Sequence, residues 1–230
     1  MTGYAAYAII QAVLAVVAIR LYRRRPSLGA FALILPTAAV VWDNAIIALG
    51  AWIGDGPLLV ALSWPRFIGH ALLTPIWIIT GVAYARRAGV GWLDRPWVRA
   101  GQWVLYAVCV LFGVLRSVVF LRMVPVTDAG ALYYANEGTF PGPPIGSIVM
   151  LCVVLACAFP VWRLARWPWM LVGSAFMLVA ALVRLPALGS LLQNLGEVVM
   201  AASLVATEWY LQRRTPSEPN RPDTGVKVPL

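Results

Sequence analysis

Two carboxylic acids stand inside stretches that are otherwise apolar: Asp43 in LILPTAAVVWDNAIIALGAW and Glu197 in LLQNLGEVVMAASLVA. Ionisable groups at membrane depth are costly and are kept mainly where they act. Two acids in unlike surroundings can divide the work of general acid–base catalysis. One holds a proton to give; the other stabilises positive charge or takes a proton back. Asp43 is expected as the general acid and Glu197 as base or charge stabiliser. The chain has only nine acidic residues, and the others are expected in loops, at helix ends or in the tail.

Other polar residues converge on the same depth. At a helical rise of about 1.5 Å per residue, Asp43 and Glu197 lie roughly 15 and 12 Å below one end of their helices. His70 and Arg116 are somewhat shallower, and Arg66 and Arg184 mark the rim, where they read most simply as interface anchors. Gln193, Asn194 and Glu197 share one helix face, and so do Arg66, His70 and Thr74. Asp43 and Asn44 are adjacent, so only one is expected to point fully inward. Gly50, Gly69, Gly113 and Gly196 would allow close helix approach. These positions predict a polar pocket open toward one leaflet, with Asn44, Asn194, His70 and Arg116 orienting the acids. Trp42, Trp77 and either Tyr133 or Tyr134 are expected to line it. The structural alternatives are pairing of Asp43 with Arg116 and of Glu197 with Arg184 or His70.

The elements that must position these groups are membrane helices. The chain is 61% hydrophobic, with a mean hydropathy of +0.80, against roughly 45–50% apolar residues in a soluble domain. Seven apolar stretches approach the roughly 20 residues needed to cross the hydrocarbon core: 3–20, 28–53, 67–85, 101–121, 145–163, 167–185 and 189–211. Strands are not expected, because open sheets cannot live in lipid. The fold class is therefore all-α, one polytopic domain over 1–211, with a disordered Pro-rich tail over 212–230. The start, MTGYAAYAIIQAVLAVV, has no basic n-region and reads as a retained first helix. The connection 122–144 is long enough to fold back over the bundle as a lid.

Charge sets the orientation. The net charge of +9 is almost all arginine, and the arginines cluster in alternate loops: 20–25, 86–99, 163–166 and 213–214. By the positive-inside rule these loops are cytoplasmic, the N-terminus is outside and the C-terminus inside, which requires an odd helix count. The basic residues therefore point to membrane topology and not to nucleic acid. The expected location is a cell membrane, most simply a bacterial one.

The chain also excludes chemistry. The last apolar stretch has no lysine for a retinal Schiff base. One histidine does not make a bis-histidine haem site or a histidine-rich metal site. The three cysteines form no CxxC pair. There is no GxSxG, no Walker motif and no DDxxD-like cluster. No metal and no cofactor are expected. Two acids in an apolar, tryptophan-containing pocket would suit protonation of an alkene or epoxide followed by ring closure, or hydrolysis of a lipid ether or ester.

At Trp42-Asp43 in the second stretch and Glu197 in the last, the chain resembles the small seven-helix integral-membrane terpene cyclases of meroterpenoid and indole-diterpene biosynthesis and their bacterial relatives. Those proteins carry a Trp-Glu pair early and an acid in the last helix; here the two acid types are exchanged. The Pro-x-Glu-Glu signature of the seven-helix lycopene cyclases is absent. The resemblance implies a proton-initiated cyclisation of an isoprenoid by Asp43 and Glu197. The alternatives are a non-catalytic lipid-binding protein or transporter, and a two-carboxylate lipid hydrolase. The expected partners are an apolar lipid or isoprenoid and the membrane itself, with protein partners open.

Overall fold

The computed structural model describes residues 2–128, 130–140, 144–183 and 190–214 of the 230-residue chain. The fold is mostly helical. The helices are α1 (Thr2–Arg24), α2 (Leu28–Ile53), α3 (Pro57–Leu72), α4 (Trp77–Arg87), α5 (Pro96–Val114), α6 (Ile145–Ala165), α7 (Trp169–Leu182) and α8 (Leu191–Arg214). The predicted tail falls mostly beyond residue 214, outside the described residues, as does Arg184.

Local chemistry sets the boundaries. The Ser27 hydroxyl accepts the Ala30 N–H at 3.1 Å and caps the start of α2. Gly54, at φ 79°, turns the chain out of α2. Pro57 then opens α3 at its first position, where its missing N–H costs nothing. The third apolar stretch therefore begins ten residues before the expected 67. Pro65 is absorbed inside the helix, whereas Pro75 falls in a short 3-10 segment, Thr74–Ile76, that separates α3 from α4.

Five helical segments among the described residues are long and apolar enough to cross a bilayer: Gly3–Arg24, Leu28–Ile53, Pro57–Arg87, Pro96–Val119 and Ile145–Ala165. The helix α7 is apolar but only 14 residues long. The longer α8 buries polar groups along its length: Asn194, Glu197, Ser203, Thr207, Glu208 and Gln212. The main core lies between α1, α2, α4, α6, α7 and α8, around Leu33, Trp77, Val154, Met170, Met200 and Leu204.

The connection 122–144 corrects one expectation. It contains an antiparallel hairpin, β1 (Met123–Asp128) and β2 (Ala131–Asn136), with Met123 opposite Asn136 and Asp128 opposite Ala131. A two-stranded hairpin is barely stable alone, and this one is tied to the helix ends. The Asn136 side chain donates to the Arg116 carbonyl at 3.0 Å, and Asp128 accepts the Ser190 N–H at 3.0 Å. The Tyr134 hydroxyl donates to Asp55, which pushes the phenol's pKa up. The rule against open sheets holds only for backbone facing lipid. This hairpin lies across the bundle end and pairs its polar groups there.

The hairpin touches α2 at a glycine. A Cβ at Gly50 would stand 1.8 Å from the Leu132 carbonyl oxygen. Gly50→Ala is therefore expected to lift the hairpin from α2 and to increase proteolytic cutting in 123–136 at least severalfold. Unchanged cutting would show that the contact is dispensable.

The opposite, arginine-rich end is closed by an ion pair whose carboxylate is buried. Arg87 Nη1 donates to Glu208 at 2.7 Å, Gln212 Nε2 donates to the same carboxylate at 2.8 Å, and Arg25 donates to the Gln212 carbonyl at 2.6 Å. Glu208, expected at a solvated helix end, is fully buried. A carboxylate at that depth is tolerated because both oxygens are bonded.

Candidate functional site

Asp43 lies in the second half of α2. The antiparallel α3 brings Arg66 and His70, one turn apart, against it. Arg66 Nε donates to Asp43 Oδ1 at 2.8 Å, and His70 Nε2 lies 3.6 Å from the same oxygen. The Thr74 hydroxyl is 3.4 Å from His70 Nδ1, so the expected 66/70/74 face is used along its length. Arg66 also donates from Nη1 to the Tyr134 carbonyl at 3.3 Å, and its guanidinium stands 5.8 Å from the Tyr133 ring. It is 7% exposed, so the expectation of a rim anchor fails. The partner of Asp43 is Arg66 and not Arg116, because α3 packs on α2 directly.

Glu197 comes to the same place from α8. Asp43, His70 and Glu197 each offer a ligand-type atom, all within 4.8 Å of one another. The two acids therefore face one pocket, although they are 154 positions apart in the sequence. The environments of the two acids differ. Asp43 is fixed by a guanidinium. Glu197 is only 7% exposed, yet among the described residues its Oε2 has no hydrogen-bond partner. An orphaned carboxyl oxygen at such depth is uncommon, because buried polar groups are almost always paired.

These residues line a cavity of about 420 Å³. Its polar wall is formed by Asp43, Arg66, His70, Gln193, Asn194 and Glu197. Its aromatic wall is Phe67, Phe112, Phe140 and Tyr133. The hairpin roofs it through Tyr133, Ala135 and Asn136. Arg116 also lines the cavity, from a π-helical turn, Leu115–Val119, that widens the end of α5. Turns of this kind recur where a helix re-aims a functional side chain. A Cβ at Gly113 would meet the Ala71 carbonyl at 2.8 Å, so that glycine lets α5 close on α3 beside the cavity.

The sequence matches no known protein family and no curated protein.

Several expected lining residues lie elsewhere. Trp42 is 40% exposed, and its indole N–H donates to the Leu62 carbonyl at 3.2 Å. It turns outward because Asp43, next to it, turns inward. Trp77 is 1% exposed and belongs to the apolar core. Tyr134 packs beside Ile46 and Leu59, and Tyr133 is the tyrosine that reaches the cavity. Asn44 is fully buried behind the wall. Its side-chain oxygen accepts from Asn194 Nδ2 at 3.0 Å, so it positions Asn194 from outside the cavity. The sequence reading missed Ser190, which bonds Tyr4 at 2.6 Å and Tyr133 at 3.2 Å and so joins α1 to the hairpin. Nothing in a lone serine beside a glycine signalled that.

Two carboxylates and an imidazole are also the residue types of a cation site. The Arg66 guanidinium already supplies the positive charge at Asp43, and a divalent ion there would be repelled by it. The arrangement is better suited to moving a proton than to holding a metal.

Proposed function

We propose that this protein is an integral-membrane enzyme that performs proton-initiated cyclisation or isomerisation of an isoprenoid alkene or epoxide. Seven membrane crossings, with the arginine-rich end in the cytoplasm and the cavity toward the outer leaflet, complete the reading. The observation that carries it is that Glu197, whose Oε2 has no hydrogen-bond partner among the described residues, lines the same cavity as an Asp43 locked to Arg66.

Glu197 takes the role of acid, the reverse of the assignment made from sequence. A buried carboxyl group with one oxygen unpaired favours its neutral, protonated form, and Glu197, which lines the cavity, can pass that proton to a bound molecule. Asp43, held at 2.8 Å by Arg66, is a fixed negative charge. His70 stands between them and can relay a proton. In the reaction, the Glu197 proton passes to the epoxide oxygen or an alkene carbon. The C–O bond or π bond opens and leaves a carbocation. A neighbouring alkene attacks it, and the new C–C bond closes the ring. Loss of a proton from an adjacent carbon to Glu197 restores the acid, so substrate and product are isomers. Phe67, Phe112, Phe140 and Tyr133 offer ring faces that stabilise a passing cation and exclude water that would quench it.

The test is product analysis. Membranes containing the protein are supplied with linear and epoxidised prenyl compounds, and the lipid extract is examined by mass spectrometry. A new product isomeric with its precursor is expected. Turnover of no prenyl compound by folded protein would remove the reading in favour of lipid binding or transport.

A further inference from the structure

The arginines at the basic end of the bundle are not all neutralised. Arg86 and Arg99 face Asp94, and Arg87 faces Glu208. Arg163 and Arg166 at the end of α6, and Arg213 and Arg214 at the end of α8, are exposed. None of these joins an ion pair among the described residues. From α6 to the end of α8 the acids are Glu197 and Glu208, and both are buried. Exposed positive charge here has no exposed acid beside it on α6, α7 or α8.

Tertiary contacts bring the two helix ends together. The Tyr210 hydroxyl donates to the Ala165 carbonyl at 2.8 Å, and the Trp167 indole N–H donates to the Thr207 hydroxyl at 3.0 Å. The Trp167 and Tyr210 rings stack with centres 4.2 Å apart. Arg166 precedes one of these rings in the chain, and the Arg214 guanidinium stands 6.0 Å from the centre of the other. Arg213 lies 3.8 Å over the Trp209 ring, and Arg163 is 5.9 Å from the Trp162 ring. A guanidinium laid on a ring keeps its planar fork of N–H donors for an anion. Trp162, Trp169 and Trp209 are exposed, as aromatic side chains are at the level of lipid headgroups.

The backbone of Arg166 is a second, independent sign. It ends α6 at φ 54° and ψ 38°, in the left-handed region, and among the described residues no other residue except glycine has a positive φ. Glycine takes this helix-ending conformation without strain. An arginine there is strained, so the fold alone does not call for it. We propose that this corner binds the phosphate of an anionic phospholipid, with Arg166 and Arg214 as its main ligands and Arg163 and Arg213 beside them. Guanidinium groups hold phosphate oxygens through paired N–H bonds. Basic clusters at the ends of membrane helices suit such headgroups, and the exposed tryptophans favour a lipid over a soluble anion. The site rests on the protein's spanning a membrane and not on the reaction proposed for Glu197.

The left-handed backbone supplies a variant that removes the charge and relieves the fold. In lipid-free detergent, Arg166→Gly should leave the unfolding midpoint unchanged or raise it. Lipid binding is read by native mass spectrometry of the full-length protein titrated with dioleoyl-phosphatidylglycerol. A first molecule is expected to bind about tenfold more tightly than phosphatidylcholine does. Arg166→Gly and Arg214→Gln should each weaken that first binding about tenfold, the loss of a hydrogen-bonded charge. Arg95→Gln, which removes an exposed arginine from the α4–α5 connection, should change it less than about twofold. Equal weakening in all three variants would mean diffuse attraction. Displacement of the lipid by millimolar glycerol phosphate would mean a soluble ligand. First binding unchanged in both Arg166→Gly and Arg214→Gln would mean a lipid site elsewhere. Each of these results would overturn the proposal.

Discussion

Glu197→Gln is expected to stop turnover and leave the bundle folded. The amide keeps the size of the carboxyl group but has no acidic proton to give. General acid catalysis contributes about 10²–10⁴-fold to rate, and a loss of that size is expected in product formed per unit of protein. The fold should survive because, among the described residues, Glu197 Oε2 makes no hydrogen bond that the amide could break. The thermal midpoint in detergent should therefore stay within a few degrees of wild type. Asp43→Asn should also impair turnover, but with a loss of stability, since Arg66 would then be a buried cation without its anion. The two variants thus separate a group that reacts from a group that holds charge. Wild-type turnover in Glu197→Gln would sink the assignment of the acid.

The second large effect is expected at Arg66. Arg66→Met removes the cation 2.8 Å from Asp43 and leaves a carboxylate at 5% exposure with His70 as its remaining basic partner among the described residues. Removing one partner of a buried ion pair costs about 3–5 kcal/mol. For a chain of this size that is a fall of roughly 6–20 °C in the unfolding midpoint. The hairpin should loosen as well, because Arg66 also holds the Tyr134 carbonyl. The double variant Asp43→Asn/Arg66→Met removes both charges and should recover much of the loss. If the double variant lost the sum of the two single losses, the two residues would not be energetically coupled, and the pair would be a bystander.

Much of this site was legible in the sequence because a helix converts position in the chain into height along its axis. Counting residues along apolar stretches put Asp43 and Glu197 at nearly one level, with His70 somewhat shallower. Faces were legible too: three- and four-residue spacing puts Gln193, Asn194 and Glu197 on one wall, and all three line the cavity. What counting along one helix cannot give is rotation toward a particular neighbour. That is why Arg66 was assigned to the rim and Arg116 to Asp43. It is also why Trp42 and Trp77 were expected at the cavity, although one points outward and the other into the core.

The sequence by itself determined the mostly helical architecture, the apolar segments long enough to cross a bilayer and the presence of two acids inside apolar stretches. Lipid permits few backbone solutions, and a charge there is conspicuous. Tertiary structure alone decided which cation holds Asp43, that Glu197 keeps an open oxygen and that Glu208 is buried against Arg87. It also decided that 123–136 forms a hairpin over the cavity, because Asp55, Arg66, Arg116 and Ser190 anchor it from four separate parts of the chain. Such contacts join residues far apart in sequence, and their partners are chosen by how the helices pack and not by any local pattern.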